Sequence, residues 1–360
     1  MRDQGSIRLA FLAALLGAAP AFAQDQSAPP PVAEPVPAPP AKAAGFDATG
    51  MGMGGMGGMN GMGMGGGGMG MPGYGVTWYP GRTTSTGEDL GFVRQRLSAA
   101  LPVWKEDGDA VIFNTNIRNT LFFTKATLPD TGQPFPAELW NVNFGMNYMH
   151  QFENGWSGGL MANFGSASDK PFHSSQELNV GGGGFLRVPA MRDGDSWMFF
   201  LMYSPVGNVN FPIPGVAYSW NPNEQWHVNI GIPFSVTWKP IDDLSVSLSY
   251  MPVTNVNARI SYRVAQPLQV YGGFEWLNEA YYLADRVVQK DRFLSYEKRL
   301  VGGVRWNVFN HATLDLQAGY AFDRYYGEGQ NLIGTGGGSA FNRVNVASGA
   351  FIGLNFGIGF

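Results

Sequence analysis

Apolar side chains occupy Ala350 and every second position after it up to Phe360. The positions between them hold three glycines, one asparagine and one phenylalanine. A strict period of two places successive side chains on opposite faces of an extended chain, so this segment is predicted to be a β-strand. The same alternation runs through residues 139–150, 254–264, 267–276 and 311–323. The pattern therefore predicts an all-β protein built from repeated hairpins.

The length of the alternating runs favours a transmembrane barrel over a soluble sandwich. Each run covers about ten residues or more, whereas soluble strands average about 5–6 residues and a tilted membrane strand needs about 9–11. Aromatic residues lie near many strand ends, as in the girdles of membrane barrels: Trp140, Tyr148, Trp156, Trp197, Tyr250, Trp276 and Tyr320. Closure would also pair every backbone group in lipid. We expect residues 76–360 to form a transmembrane antiparallel up-and-down β-barrel.

The composition agrees with this fold and excludes other classes. Glycine contributes 51 of 360 residues, and each glycine inside a helix costs about 1 kcal/mol, which disfavours a helical bundle. The formal net charge of −4 leaves no basic surface for nucleic acid. The absence of cysteine excludes disulfide scaffolds, thiolate nucleophiles and cysteine-type zinc sites.

Residues 1–23 have the pattern of a secretory signal peptide. Arg2 and Arg8 precede an apolar stretch over residues 9–19, and residues 21–23 (Ala-Phe-Ala) offer a cleavage site. That apolar stretch is shorter than the roughly 20 residues that a membrane-spanning helix needs. An uncleaved anchor is the alternative to a cleaved signal, and in either case the protein is expected to leave the cytoplasm.

Residues 24–75 are predicted to form a disordered arm on the periplasmic side. The arm is rich in Pro and Ala over residues 28–44, and it holds 15 Gly and eight Met over residues 50–75. Thioethers can bind Cu(I), and four of them are closely spaced: Met51, Met53, Met56 and Met59. Since no His or Cys accompanies them, a flexible linker is favoured and copper handling is kept as a further alternative.

The strand number is predicted as 14, with 12 to 16 admitted. Short periplasmic turns are expected at residues 152–155, 221–224, 239–243, 265–267 and 307–311, with long external loops at 277–292 and 323–345. Placing all these turns at one end requires residues 225–239 to split around Pro233, which gives 15 strands. A further strand at residues 76–79 would give 16, whereas a single strand over 225–239 gives 14. Single-chain bacterial barrels have even strand numbers, and 14 is the preferred value.

The last strand resembles the C-terminal signal that the bacterial barrel-assembly machinery reads. It ends in phenylalanine, with apolar residues at alternate positions before it: Ile352, Leu354, Phe356, Ile358 and Phe360. Residues 91–360 resemble an uncharacterised, porin-like family of bacterial outer-membrane β-barrels of unknown function. That resemblance is carried by the stretch from Phe211-Pro-Ile-Pro-Gly215 through Trp238-Lys-Pro240 to Ser261-Tyr-Arg263. It implies a Gram-negative-type outer membrane, lipid and the assembly machinery as partners, and no known activity.

No catalytic constellation emerges from the residues. The four histidines lack metal-ligand spacing, and the only cluster worth naming is His173-Ser174-Ser175 with Glu177 nearby. Neighbours in one loop do not make a catalytic triad, which needs convergence from separate parts of the chain. We therefore expect no enzyme, no cofactor and no metal site.

Alternation directs a group of charged side chains into the lumen. The candidates are Arg259, Arg263, Glu275, Glu297, Arg299, Arg305, Asp315 and Asp323. Two interpretations stay open: a water-filled pore whose mixed charges tune permeation, and a salt-bridged, closed lumen that stabilises the wall. A passive channel for small polar solutes is the first hypothesis, and a closed-lumen structural or surface-interaction barrel is the alternative.

Overall fold

The computed structural model shows a closed antiparallel β-barrel. The structure describes residues 72–129, 131–203, 212–251, 255–309, 312–329 and 343–358. The strands in these residues are β1 (Gly73–Thr83), β2 (Asp89–Glu106), β3 (Asp109–Thr124), β4 (Glu138–Gln151), β5 (Ser157–Ser168), β6 (Leu178–Pro189), β7 (Ser196–Tyr203), β8 (Ile213–Asn223), β9 (Trp226–Gly231), β10 (Phe234–Ile241), β11 (Leu244–Met251), β12 (Asn255–Ala265), β13 (Leu268–Tyr281), β14 (Arg292–Phe309), β15 (Ala312–Gly329), β16 (Arg343–Val346) and β17 (Gly349–Ile358).

Closure occurs between the first and the last strand. β1 pairs with β2 on one side and with β17 on the other, and β17 also pairs with β15. The strands between them pair in chain order. Within the described residues the ring thus contains sixteen strands, while the short β16 extends the edge of β15 near one barrel end. Closure leaves no unpaired edge in the ring, which is the condition for a sheet in lipid.

The preferred strand number of 14 is wrong, although 16 lies inside the admitted range. Both doubtful segments contribute a strand. Residues 225–239 divide into β9 and β10 around Ile232 and Pro233, and β1 occupies the place of the optional sixteenth strand. β1 begins at Gly73, three residues before the expected boundary at 76, because its register with β17 already starts there.

The longest described connections lie at one end of the barrel, and tight turns predominate at the other. One end, called the turn end, carries tight connections such as residues 107–108, 224–225, 242–243 and 266–267. At 107–108, Asp107 and Gly108 both have positive φ angles, as a two-residue hairpin requires. Four of the five segments expected as short turns lie at the turn end, and the fifth, 307–311, includes residues 310 and 311, which lie outside the described residues. The opposite end, called the loop end, carries the longer connections after β3, β5 and β13.

The outward face is apolar along the whole ring. Four residues of the predicted assembly signal, Ile352, Leu354, Phe356 and Ile358, point outward from β17 and are 41–47% exposed; Phe360 lies outside the described residues. Large exposed apolar side chains continue around the barrel, including Leu160, Leu201, Ile230, Ile260 and Leu300. A soluble domain would not expose such a continuous apolar surface.

Inward aromatic rings lie on inward glycines of the neighbouring strand. Four such pairs are directly opposite in register: Phe185 with Gly159, Phe200 with Gly215, Tyr271 with Gly303, and Phe351 with Gly319. A Cβ atom at any of these glycines would collide with the facing ring. Glycine is required because only a hydrogen leaves room for the ring to lie along the wall. Part of the glycine excess therefore has a packing cause.

The predicted N-terminal segments fall outside the described residues. This applies to the signal peptide (1–23), to most of the arm (24–75) and to Met51, Met53, Met56 and Met59. Among the described residues, no helix is long and apolar enough to cross a membrane.

Candidate functional site: the barrel lumen

A set of buried or half-buried charges lies on the inward faces of two facing parts of the wall. The set, called the charged cluster, consists of Arg94, Arg96 and Arg118 on β2 and β3, and of Arg259, Glu275, Glu279, Glu297, Arg299 and Arg324 on β12 to β15. β17 and β1 lie between these two parts of the ring. Contacts between the two parts therefore cross the lumen, whereas contacts within the second part join neighbouring strands of the wall.

Two carboxylates organise the centre of the charged cluster. Glu275 accepts hydrogen bonds from Arg299 Nε at 2.7 Å and from Arg259 Nη2 at 3.2 Å. Glu297 accepts one from the Tyr79 hydroxyl at 2.8 Å, and that hydroxyl accepts one from Arg299 Nη1 at 2.8 Å. Buried ion pairs of this kind persist only when additional hydrogen bonds satisfy them. The network joins β1 to β12, β13 and β14.

A third carboxylate joins the opposite parts of the wall. Glu279 on β13 pairs with Arg118 on β3, and Arg94 Nη2 on β2 lies 3.8 Å from the Glu279 carboxylate. Arg324 Nε lies 3.2 Å from Glu297. The lumen is thus bridged by side chains between the first strands and the last strands.

Seven of the eight predicted lumen residues face inward. Arg259, Glu275, Glu297 and Arg299 belong to the charged cluster. Asp315 lies on the turn-end side of the cluster. It accepts hydrogen bonds from Arg305 Nη2 at 3.0 Å and from the Tyr271 hydroxyl at 2.7 Å. Arg263 is exposed near the turn end, where Nη1 is 3.7 Å from Asp243.

Asp323 does not lie with these residues. A bulge opposite Glu297 changes the phase of β15, and Asp323 has a φ of 48° there. Its carboxylate accepts a hydrogen bond from Lys298 Nζ at 2.7 Å. Lys298 lies beside the outward-facing rings of Trp276 and Tyr296. The prediction for Asp323 is corrected because simple alternation does not continue through a bulge.

Sequence reasoning missed the charges of the first strands. Arg94, Arg96 and Arg118 lie in β2 and β3, where no alternating run was recognised, and Glu279 and Arg324 lie beyond the runs that were. An inward period of two does connect Phe92, Arg94 and Arg96, and it would have placed both arginines in the lumen. Glu279, the carboxylate that Arg94 and Arg118 approach, lies far from both in the chain, so no local signal indicates the pairing.

An aromatic cap closes part of the lumen at the loop end. It is formed by Phe122, Phe135, Phe293 and Tyr326, whose ring centroids lie 5.0–5.7 Å apart. Phe135 comes from the β3–β4 connection, which folds inward. Thr131 of that connection donates a hydrogen bond to Glu328 at 3.0 Å.

Two loops at the loop end hold each other. The loop strap consists of residues 169–177 and 282–291. Lys170 Nζ donates a hydrogen bond to Asp285 at 2.8 Å, which raises the pKa of Lys170 and lowers the pKa of Asp285. Arg286 donates to Gln176 at 3.0 Å and lies 3.7 Å from the buried Glu177. The loop strap therefore joins the β5–β6 connection to the β13–β14 connection.

The cluster of His173, Ser174, Ser175 and Glu177 is part of this loop. The Ser174 hydroxyl donates to Glu177 at 3.1 Å, and the Ser174 amide donates to the same carboxylate at 2.9 Å. These bonds close a turn, and Arg286 approaches the same carboxylate. Among the described residues, no group of three or more His, Asp or Glu side chains could hold a metal ion.

The inward face of β9 to β12 has a different character. This hydroxyl wall is lined by small polar side chains that are half-buried or exposed: Asn229, Ser235, Thr237, Ser245, Ser247, Ser249, Asn257 and Ser261. They form a continuous patch, because Ser235 faces Asn229 and Ser249, while Thr237 faces Ser247. The lumen is therefore filled on one side and accessible on the other.

A family model matches the larger part of the chain. The model described as "Domain of unknown function (DUF6268)" matches residues 127–330, from the β3–β4 connection to the end of β15. No curated protein matches the chain.

Several solved structures share a distant likeness. They include the beta domain of the Bordetella autotransporter BrkA (10% identity, TM-score 0.30, 80% of this chain and 99% of that chain). An outer membrane channel from Pseudomonas putida F1 has 9% identity and a TM-score of 0.33, with 80% and 96% covered. The toluene transporter TodX of P. putida has 9% identity and a TM-score of 0.31, with 81% and 90% covered. Likeness at this level leaves the function to be argued from the barrel itself.

Proposed function

The chain belongs to the family described as domain of unknown function DUF6268, and we propose that it is an outer-membrane barrel that serves as a passive channel for small polar solutes. The apolar outward face supports the membrane location. Short turns lie on the periplasmic side of such barrels, so we place the turn end there. The N-terminal end of β1 and the C-terminal end of β17 then both lie on the periplasmic side. This proposal implies two partners: the lipid of the outer membrane, and the assembly machinery that reads the β17 signal.

The hydroxyl wall is the observation that carries the channel proposal. Hydroxyl and amide groups can replace part of the hydration shell of a polar solute without binding it tightly, which permeation requires. The charges that would hold an ion strongly are mostly tied into ion pairs within the charged cluster. A solute of modest size would therefore pass beside the charged cluster, along β9 to β12.

The test is conductance of the purified, folded full chain in a planar bilayer, compared with that of the variant Ser247→Trp. Ser247 lies in the middle of the hydroxyl wall, opposite Thr237 and Arg259. An indole placed there should reduce single-channel conductance by roughly twofold or more, because the narrowest cross-section limits permeation.

Leu248→Trp is the matched control. Leu248 is the next residue on the same strand, and its side chain points outward. It should leave conductance unchanged, since the added indole meets lipid. Absence of conductance in the wild-type protein would reject the channel, and equal currents in both variants would reject this route.

One observation favours the second candidate function, a closed structural barrel. The charged cluster, the aromatic cap and the loop strap together fill and cover one side of the lumen. If the folded protein gives no current in bilayers, the second candidate function is favoured. The contacts in the lumen would then stabilise a closed barrel, and the exposed loops would carry the function.

A further inference from the structure

Side-chain amides line the inward face of β3 to β6 in the middle of these strands. This amide wall consists of half-buried side chains that reach the surface of the lumen: Asn114, Asn116, Asn143, Asn147, Asn163 and Asn179. Within the part of the chain that the structure describes, none of these side-chain amides has a hydrogen-bond partner. Their donors and acceptors are therefore available to the contents of the lumen.

The strand register brings the amides of this wall together. Gly145 on β4 faces Asn114 on β3 and Asn163 on β5. A Cβ atom at Gly145 would collide with both amide groups, so the two side chains meet over the glycine. One step toward the loop end, Asn116 and Asn143 lie directly opposite each other. The amide wall is thus a continuous surface of donors and acceptors rather than a set of isolated side chains.

The accessible wall from β4 to β11 is uncharged in its middle. The described inward positions there hold amide, hydroxyl, small or apolar side chains, and the hydroxyl wall continues on the same arc of the ring. Arg118 borders the amide wall toward the loop end and is ion-paired with Glu279. Arg187 lies toward the turn end, where its Nε donates a hydrogen bond to Ser196 at 2.8 Å. A solute on this arc therefore meets amides and hydroxyls in place of fixed charges.

We propose that the amide wall binds neutral polyhydroxylated solutes, the class of small sugars and polyols, and that the channel prefers them to ions of similar size. A hydroxyl group both donates and accepts hydrogen bonds, and a side-chain amide offers an acceptor oxygen beside two N–H donors. An ion would lose part of its hydration shell without meeting an opposite charge on this wall. The inference deepens the proposed channel function and relies on it for passage, whereas binding is measurable without passage.

The first test measures binding by saturation-transfer NMR of the purified, detergent-solubilised full chain. The probes are sorbitol, gluconate and N-methylglucamine, which are open-chain polyols of similar length. They differ mainly in charge, since sorbitol is neutral, gluconate is an anion and N-methylglucamine is a cation. Sorbitol should receive the largest saturation transfer, because its hydroxyls match the amides and it has no charge to desolvate.

Asn163→Leu is the test variant and Ala162→Leu is its matched control. Ala162 is the next residue on the same strand, exposed on the outward face. Asn163→Leu should weaken sorbitol binding about threefold to tenfold, as expected for the loss of one or two hydrogen bonds, and Ala162→Leu should leave it unchanged. Asn163→Asp keeps the shape and adds a negative charge, so it should favour N-methylglucamine over sorbitol. If Asn163→Leu does not fold, Asn143→Leu removes another amide of the same wall and should weaken sorbitol binding in the same way.

The second test is the swelling of vesicles that contain the full chain, in each of the same solutes. The wild type and Ala162→Leu should admit sorbitol faster than gluconate or N-methylglucamine, and Asn163→Asp should shift the preference toward N-methylglucamine. Equal binding of all the probes, or equal sorbitol binding in the wild type and Asn163→Leu, would overturn the inference. Selective binding without passage removes the channel alone, whereas passage without selective binding removes the amide site alone.

Discussion

Single glycines on the inward face are sensitive to substitution because an aromatic ring occupies the space beside them. Gly215 is covered by the Phe200 ring, so Gly215→Val should force the ring away from the wall. Overpacking of this kind costs about 1–3 kcal/mol. Urea unfolding of the barrel in lipid vesicles should show a loss of stability in that range.

Gly272→Val is the control for this substitution. Gly272 points outward on β13, and its nearest neighbour for an added Cβ is the Val301 carbonyl oxygen at 3.9 Å. Valine there should be neutral or slightly stabilising, since β-branched residues favour strands. Equal losses at both positions would mean that the ring contact is not the cause.

A one-residue bulge, which shifts the inward–outward alternation of β15, explains one error of the sequence prediction. Alternation predicts that Asp323 faces the lumen, because Leu314 to Phe322 alternate without interruption before it. The bulge at Asp323 adds one residue opposite Glu297 and reverses the faces beyond it. The sequence does not mark that insertion, because polar and apolar residues are mixed both before and after the bulge.

At the scale of one strand, β12 allows a direct test of which face meets lipid. Ile260 lies at the centre of β12, points outward and is 56% exposed, whereas Ser261 points inward. Ile260→Lys should destabilise the barrel by about 2–4 kcal/mol, the cost of a cation near the bilayer midplane. Ser261→Lys should cost much less, because the lumen contains water.

The measurement is again urea unfolding in vesicles, with gel mobility before and after heating as a check of folding. A soluble sandwich would give the reverse order, since its buried face could not accept Ser261→Lys. Tolerance of Ile260→Lys would therefore contradict the membrane orientation.

Whole strands were predicted well where the local pattern is complete. β12, β13, β15 and β17 follow from alternation alone, because each repeats its period over about ten residues. The sequence does not decide between one strand and two over residues 225–239, since apolar residues continue on both sides of Pro233. The long β2 and β3 were not recognised from their patterns, because their inward faces mix Phe, Arg, Asn and Thr.

For the whole molecule, the loop strap should limit passage at the loop end. Arg286 joins its two loops through Gln176 and Glu177. Arg286→Ala should loosen the strap and raise single-channel conductance by roughly twofold or more, because a cover that opens more often obstructs less. Planar-bilayer recordings give the value.

Lys290→Ala is the matched control, because Lys290 lies exposed in the same loop. It removes a similar charge and should leave the current unchanged. An equal current in wild type and Arg286→Ala would mean that the solute route avoids the loop strap.

The arrangement across the lumen lay beyond the sequence prediction. Alternation showed that Glu275 and Arg299 face inward, and it left open whether the lumen is filled. The answer depends on Arg94 and Arg118, which reach Glu279 from strands far away in the chain. Such contacts depend on barrel diameter and shape, and these emerge only after sixteen strands close.

The glycine–aromatic pairs also constrain how this chain can change over time. Each pair occupies facing positions on neighbouring strands, so a substitution at one member alters what the other member can tolerate. A bulky residue replacing Gly215 becomes acceptable only after Phe200 has become small. Homologous chains should therefore vary at these positions in a correlated manner, and a neutral path between two such sequences passes through loss of the ring before loss of the glycine.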